Sequence, residues 1–313
     1  MPLNPEYLKN LITASEKAAY GAFLHVGKGD KILADQAAVD QMRKELNKIK
    51  MDGTVVIGEG EMDEAPMLYI GEKVGTKEGQ KIDIALDPLE GTNFVAKNLP
   101  NACSCIAIAE KGNLLAAPDT YMEKIAIGSN LPKNLVDLDN SVEENLSLLA
   151  KAKNINLDKL TVCILDRPRH KNIIESCRKM NVNIKFIPDG DVYGVISVID
   201  NSTGVDLYLG IGGGPEGVLA AAALTCFDGQ MQTRLILDEN QKKRASSLGI
   251  KDFNKKYNIE EMVRGDVMFC ATGITDGYIV DGIKELKETF KATTLALHKN
   301  TGFNEKVVNI HKK

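Results

Sequence analysis

The sequence predicts an α/β protein built in two halves, the first α+β and the second a helix-covered sheet. Three observations carry this. First, Leu8, Leu11, Ile12, Ala18, Ala19 and Phe23 recur at helical spacing over residues 5–25. Val39, Met42, Leu46 and Ile49 repeat the pattern, so two amphipathic helices open the chain. Second, short apolar runs bounded by turn residues read as strands: 54–57, 82–86, 103–109 and 114–117. The last two flank Lys111-Gly-Asn113 and are expected to form an antiparallel hairpin. Third, from residue 160 strand and helix patterns alternate: 160–165, 171–180, 184–187, 191–199, 205–209 and 215–226. That order predicts a mostly parallel sheet.

The remaining segments complete the expectation. Pro66 is read as opening a short helix through Ile70. Residues 128–142 are rich in Asn, Pro, Asp and Ser and are read as a linker. The halves are therefore placed at 1–140 and 141–313. Residues 238–262 read as a polar helical excursion, and 266–271, 294–298 and 306–310 as closing strands.

Composition excludes several classes. The chain has 313 residues, 43% hydrophobic and 26% charged, with a net charge of −4. It offers no basic stripe for nucleic acid, and with 5% aromatics and no Trp it offers few stacking platforms. Cys103, Cys105, Cys163, Cys177, Cys226 and Cys270 mostly sit in apolar runs. They read as reduced core thiols, not as a disulfide framework. The opening Met-Pro-Leu-Asn-Pro-Glu6 has neither the basic head nor the apolar core of a signal peptide. No apolar run approaches the ~20 residues of a membrane span. A cytoplasmic protein with no membrane or nucleic-acid partner is expected.

The chemistry concentrates at Ile82-Asp-Ile-Ala-Leu-Asp-Pro-Leu-Glu-Gly-Thr-Asn-Phe94. A buried strand is expected to stop at Pro88, which has no N–H for the ladder. Asp87 and Glu90 then share a tight turn with Gly91 and Thr92, and a helix can begin at Asn93. Adjacent acids at a buried strand end repel unless a cation neutralises them. Asp35, the Glu59/Glu61/Asp63 loop and Glu216 are further acidic candidates. Acids also cap helix N-termini, where each gains roughly 0.3–1 kcal/mol from the dipole, and Asp35 alone is explained that way. All-oxygen ligands favour Mg²⁺ or Mn²⁺ over Zn²⁺. The four His, at 25, 170, 298 and 311, fit no metal spacing.

Gly210-Ile-Gly-Gly-Gly-Pro-Glu-Gly217 contains G-x-G-x-x-G between a strand and a helix, the dinucleotide fingerprint. Glu216 would face a pyrophosphate and repel it; a metal-ligand role accounts for the acid. Asp166-Arg-Pro-Arg-His170 supplies two guanidinium groups that can fork onto phosphate oxygens. Pro188-Asp-Gly-Asp191 supplies acids suited to sugar hydroxyls.

Asp87-Pro-Leu-Glu-Gly-Thr92 resembles the D-P-[IL]-D-G-[ST] metal motif of the lithium-sensitive sugar and inositol phosphatases. Glu90 in place of the second Asp resembles the class II fructose-1,6-bisphosphatases. So do Gly29-Asp-Lys31 with Asp35, Ile57-Gly-Glu-Gly-Glu61, Pro118-Asp-Thr-Tyr-Met-Glu-Lys124, Arg167-Pro-Arg-His170, Ile187-Pro-Asp-Gly-Asp191 and Ile211-Gly-Gly-Gly-Pro-Glu-Gly217. The resemblance implies a layered αβαβα sandwich with the site between its halves. It implies removal of the 1-phosphate of fructose 1,6-bisphosphate in gluconeogenesis, with Mn²⁺ or Mg²⁺, by a homo-oligomer (dimer or tetramer). The implied metal ligands are Asp35, Glu59, Asp87, Glu90 and Glu216. The implied substrate contacts are Lys31, Glu90, Gly91, Thr92, Tyr121, Arg167, Pro168, Arg169, Asp189, Gly190, Asp191 and Gly213. Thr92 and Asp63 are expected to orient the attacking water. Two alternatives stay open: the same chemistry on sedoheptulose 1,7-bisphosphate or another sugar or inositol phosphate, and a non-catalytic nucleotide-binding regulator.

Overall fold

A computed structural model describes residues 2–58 and 68–313. In chain order the elements are α1 (Glu6–Phe23), α2 (Lys31–Leu46), β1 (Met51–Ile57), β2 (Lys73–Val74), β3 (Gln80–Glu90), α3 (Thr92–Lys97) and β4 (Cys103–Glu110). There follow β5 (Tyr121–Ile127), α4 (Val142–Lys153), β6 (Thr161–Leu165), α5 (Lys171–Lys179), β7 (Asn183–Ile187), α6 (Asp191–Ile196), β8 (Leu207–Gly213) and α7 (Gly214–Thr225). The chain ends with β9 (Gln230–Ile236), α8 (Glu239–Ser247), β10 (Lys256–Asn258), α9 (Ile259–Met262), β11 (Val267–Gly273), β12 (Lys284–Glu285), β13 (Thr289–His298) and β14 (Phe303–Lys312). Helices are layered on mixed sheets, mostly antiparallel in the unit that holds the N-terminal strands and part parallel in the other, in keeping with the expected α+β and α/β character.

One unit holds Met1–Ala116 and Val263–Lys313; the other holds Ala117–Met262. This differs from two consecutive halves divided near residue 140. The strands expected to close the second half pair in the first unit: β11 lies against β4 from Val267↔Ala109 to Gly273↔Cys103. Every residue of β11 is buried, so only a place inside a sheet satisfies both its faces. Residues 128–141 lie within the second unit, between β5 and α4.

The first unit has an eight-stranded sheet in the order β12-β13-β11-β4-β3-β1-β2, with β14 on β13. Among these strands β1 and β3 run parallel. Helices α1 and α2 supply the apolar stripe, with Leu11, Ala18, Val39 and Met42 packed in one core with Ile82, Ile84 and Ile106. A Cβ on Gly21 would stand 2.6 Å from the Ala37 carbonyl oxygen, so α1 meets α2 backbone to backbone. The expected hairpin at 111–113 does not form. Leu114 makes only an isolated bridge to Val263, and β4 takes β3 and β11 as partners. Strand β3 does not end at Pro88 either. Its pairing shifts register between Asp87↔Cys105 and Glu90↔Cys103, so Pro88 and Leu89 stand opposite Ser104 in a bulge, where a proline is tolerated. Residues 68–70 are not helical; the rest of the helix expected from Pro66 lies outside the described residues.

The second unit has six strands in the order β10-β9-β5-β8-β6-β7. Strands β7, β6 and β8 are parallel, whereas β5, β9 and β10 join antiparallel. The sheet is thus half parallel, because β5 and β9, which the alternating pattern misses, insert beside β8. Leu146 and Leu149 of α4 pack with Val162, Ile164 and Leu209 on one face.

Glu16 ties the edge strand β14 to α1. It is fully buried. It accepts hydrogen bonds from Thr294 Oγ1 at 3.2 Å and from Asn309 Nδ2 at 3.1 Å, and meets His311 Nε2. Glu16→Ala takes the acceptor from Asn309 and His311 and leaves Thr294 only the Thr272 hydroxyl, and the expected loss is about 2–3 kcal/mol. Urea unfolding measures it, and hydrogen exchange should show residues 303–312 opening ahead of the other strands. Unchanged protection there would refute the anchoring role.

Candidate active site

In the first unit the bulge of β3 turns both of its acids to one place. Asp87 and Glu90 each offer a carboxylate oxygen, and these lie within 4.8 Å of one another. Asp87 is half-buried and Glu90 is buried. The Asp87 Oδ1 accepts the Leu89 N–H at 3.0 Å, which fixes the turn. Behind them the Cys103 and Cys105 sulfurs are 3.4 Å apart. The Cys105 thiol is held well above its usual range by the contact with Cys103, by burial, and by the charges of Glu90 and Asp87. These two cysteines are free and buried.

Gly91 follows with φ 84°, a left-handed conformation that glycine adopts without strain, and starts the six-residue α3. Its carbonyl oxygen accepts the Phe94 N–H at 2.8 Å. Thr92 is the first residue of that helix. Helix α2 carries Lys31 at its first position and Asp35 one turn later. Burial alone raises the Asp35 carboxyl to about 6, with no compensating donor among the described residues. Asp30, not Asp35, caps this helix, accepting the Ile32 and Leu33 N–H groups. The capping explanation for Asp35 therefore fails. Glu59, Glu61 and Asp63 lie outside the described residues.

In the second unit the predicted substrate residues converge on the end of β8. Tyr121 is the register partner of Gly213. The Arg169 guanidinium lies 4.8 Å from the Tyr121 ring centroid, and its Nε and Nη2 donate to the Ile211 carbonyl at 3.1 and 2.7 Å. Arg167 Nη1 donates to the Pro188 carbonyl at 2.6 Å, and its Nη2 lies 3.8 Å from Asp189 Oδ1. Pro168 opens a short 3₁₀ turn between the two arginines. His170, which fits no metal spacing, is a strut: its Nε2 accepts the Ile211 N–H at 2.8 Å, so Nδ1 carries the proton and donates to the Leu165 carbonyl at 2.7 Å. Burial lowers its pKa. Together with the Arg169–Ile211 bonds, this side chain fastens the arginine segment to β8.

Gly190 has φ 83° and starts α6. Asp191, the first residue of α6, is buried. Both its carboxylate oxygens are engaged internally: Oδ2 by Lys124 Nζ and Oδ1 by the Tyr208 hydroxyl. Asp191 is therefore not free for a sugar hydroxyl as the sequence suggests. Burial, and then the Asp191 charge, hold the Tyr208 hydroxyl well above its usual range. Neither Lys124 nor Tyr208 stands out in the sequence. The available signal is slight: Lys124 lies on the same strand face as Met122 and Ala126, while Glu123 beside it faces the other way.

The glycine run also differs from expectation. Gly210, Gly212 and Gly213 belong to β8 and are not a turn. None of them has a positive φ. A Cβ at Gly210 would stand 3.1 Å from His170 Nε2, one at Gly212 would overlap the Asp191 carboxylate, and one at Gly213 would overlap that of Glu216. These glycines make room for the protein's own side chains. Glu216 is the third residue of α7 and is half-buried. Burial raises its pKa, the Lys124 ammonium opposes that, and the Asp191 charge adds to it.

Residues 5–311 match the family described as bacterial fructose-1,6-bisphosphatase, glpX-encoded. The D-fructose 1,6-bisphosphatase class 2/sedoheptulose 1,7-bisphosphatase of a Synechocystis species is 40% identical over 329 aligned residues, covering 97% of this chain and 95% of the relative. The class 2 fructose-1,6-bisphosphatase of Haemophilus influenzae is 42% identical, covering 95% of this chain and 93% of the relative. Among solved structures, the extragenic suppressor protein suhB of Bartonella henselae aligns over 78% of this chain and 99% of its own at 11% identity, with a TM-score of 0.41, a likeness too slight to build on. With nearly its whole length matched and two-fifths of its residues shared with such relatives, the chain belongs to the glpX-encoded, class 2 fructose-1,6-bisphosphatase family.

Proposed function

We propose that this chain removes the 1-phosphate of fructose 1,6-bisphosphate, giving fructose 6-phosphate in gluconeogenesis, and that the residues named below do it. Family membership supports the reaction; the Asp87–Glu90 pair supports the chemistry. Two carboxylates this close, one of them buried, repel each other, and an oxygen-only set suits a hard divalent cation. Asp35, with its pKa raised to about 6 by burial alone, adds a third oxygen donor that lacks a partner among the described residues. On this reading Asp35, Glu59, Asp87, Glu90 and Glu216 hold Mn²⁺ or Mg²⁺. Such a cation, when bound, polarises the phosphoryl oxygens and acidifies a water.

The chain's own groups do the rest. The Gly91 and Thr92 amides receive phosphoryl oxygens. The Thr92 hydroxyl, with Asp63 as acceptor, aims the attacking water in line with the leaving oxygen. Arg169, steadied by Tyr121 and Ile211, directs the rest of its guanidinium fork at the 6-phosphate, with Arg167 as the second cation there, and Lys31 is a further substrate contact. Asp189, Gly190, Pro168 and Gly213 line the sugar, while Asp191 sets the loop from behind. Sedoheptulose 1,7-bisphosphate is the second substrate proposed for this site, since the Synechocystis relative's name carries both activities. A cytoplasmic homo-oligomer, dimer or tetramer, completes the proposal. No helix of the described residues is long and apolar enough to cross a membrane.

The direct test is phosphate release from both bisphosphates and from an inositol monophosphate, with Mn²⁺ and with chelator. No metal-dependent release from either bisphosphate would sink the proposal. Thr92→Ala should lower kcat by about 10²–10⁴-fold while KM changes little; full turnover removes the water-aiming role. Arg169→Ala should raise KM about tenfold or more for fructose 1,6-bisphosphate and far less for fructose 1-phosphate. Equal effects on both would remove the 6-phosphate assignment.

A pH prediction follows from Asp35. Its carboxyl sits near 6 in the folded chain against an ordinary 3.8. Between those values the native state holds a proton that the unfolded chain has lost, so this group favours folding as pH falls from 6 towards 4. Above pH 6 the buried charge costs about 1–2 kcal/mol once solvent screening is allowed for. In chelator-treated protein Asp35→Asn should therefore be more stable than the parent at pH 7.5 and equal to it near pH 4. Parallel urea-unfolding profiles for the two proteins across this range would refute the assignment.

A further inference from the structure

The second unit carries a buried cation that the proposed reaction does not use. Lys124 is fully buried in the middle of β5. The period of two along a strand puts Met122, Lys124 and Ala126 on one face of the sheet, opposite Gly212, Gly210 and Tyr208 of β8. Two of those three partners are glycines, and the room they leave takes the His170 ring beside Gly210 and the Asp191 carboxylate beside Gly212. Gly217 is the residue after Glu216, and a Cβ there would stand 3.1 Å from Lys124 Cε and 2.5 Å from Met122 Sδ. The first turn of α7 thus rests directly on the lysine. At its far end the ammonium donates to Asp191 Oδ2, while the Tyr208 hydroxyl donates to Oδ1.

A buried ammonium and carboxylate cost several kcal/mol each to desolvate, and well-packed apolar residues often replace such pairs without loss of stability. Stability is therefore a weak reason for this pair to be here. Its position offers a better one. Asp191 ends the loop Pro188-Asp-Gly-Asp191, whose Pro188 and Asp189 face Arg167, and Gly217 adjoins Glu216. Gly190 has no side chain to anchor the loop from within, so the Asp191 carboxylate is its internal tether.

We propose that Lys124 is a positioning residue for the sugar half of the substrate: through Asp191 it sets the loop 188–191 against the end of β8, with Tyr208 as the second tether. The role rests on the bisphosphatase reading above. The electrostatics give the proposal a sign. The Lys124 charge acts on Glu216 in the direction opposite to burial and to Asp191. Removing it withdraws a positive charge from beside a proposed cation ligand and should not weaken cation binding. Loss of the tether and general loosening of the fold then have different signatures.

The test uses Lys124→Met, which keeps the stem and removes the charge, and Tyr208→Phe, which keeps the ring and removes one donor. Kinetics are measured at saturating Mn²⁺ on whichever bisphosphate the parent hydrolyses. Mn²⁺ binding to the substrate-free protein is measured by calorimetry. Misplacement of a binding loop by about 1 Å can cost up to about 100-fold. The expected result is a KM raised at least about tenfold in Lys124→Met and about threefold in Tyr208→Phe, kcat changed less than KM, and Mn²⁺ affinity retained or increased. An unchanged KM in folded Lys124→Met overturns the proposal, as does a parallel loss of Mn²⁺ affinity, the mark of a merely structural role. If Lys124→Met does not fold, Tyr208→Phe decides by the same criteria. A parent inactive on both bisphosphates sinks the underlying reading and removes the basis for a sugar-positioning role. An active parent with unaffected variants sinks only the role of Lys124.

Discussion

Repulsion between carboxylates crowded at strand ends is the constraint on which the site depends. Asp87 and Glu90 are brought within 4.8 Å by a bulge that inserts an extra residue into β3 opposite Ser104. A regular strand would send side chains three residues apart to opposite faces. The bulge cancels that alternation, and Pro88, unable to donate to the ladder, makes regular pairing there unfavourable. The sequence thus sets two acids side by side in a place where they repel and where burial takes Glu90 away from water. The folding free energy of the surrounding eight-stranded sheet sustains that arrangement, and a bound cation would relieve it.

The second unit meets the same difficulty with protein groups. The Asp191 charge adds to the cost of ionising Glu216, and Lys124 stands as an internal counter-charge. Here the counter-charge to Asp191 is a lysine that belongs to the chain. The two loops also have a common construction. In each a proline ends the regular strand pairing, a left-handed glycine follows (Gly91 at φ 84°, Gly190 at φ 83°), and a six-residue helix begins. The glycine lets the backbone reverse within one residue, so the polar side chains on either side of it stay near the end of the sheet.

Much of this was legible in the sequence, because the chemistry sits in short runs with strong local rules. The pairing of Asp87 with Glu90, the paired arginines and the helix after Gly91 needed only proline and glycine constraints and charge counting. The division of the chain was not legible. Nothing within Val267–Gly273 says that its partner is β4, more than 150 residues earlier, because β pairing is non-local and a fully buried strand has no polar face to mark its side. Strands β5 and β9 were missed because Lys124, Thr233 and Arg234 interrupt their apolar pattern. In the case of Lys124, the interruption is where the unit keeps its internal cation.

The glycine run shows most directly how a local motif can point the wrong way. Residues 212–217 satisfy a nucleotide fingerprint in the expected order of strand and helix. In that motif, glycine leaves space for a ligand's pyrophosphate. Here the spaces beside Gly212 and Gly213 are filled by the carboxylates of Asp191 and Glu216, and that beside Gly210 by the His170 ring. A pyrophosphate entering the same volume would meet two acids in place of backbone N–H groups. The same absence of side chains that would admit a nucleotide elsewhere lets β8 receive an acid from α6, an acid from α7 and the histidine that fastens the arginine segment. Sequence spacing records that room is made; only the identity of the neighbouring side chains says for what.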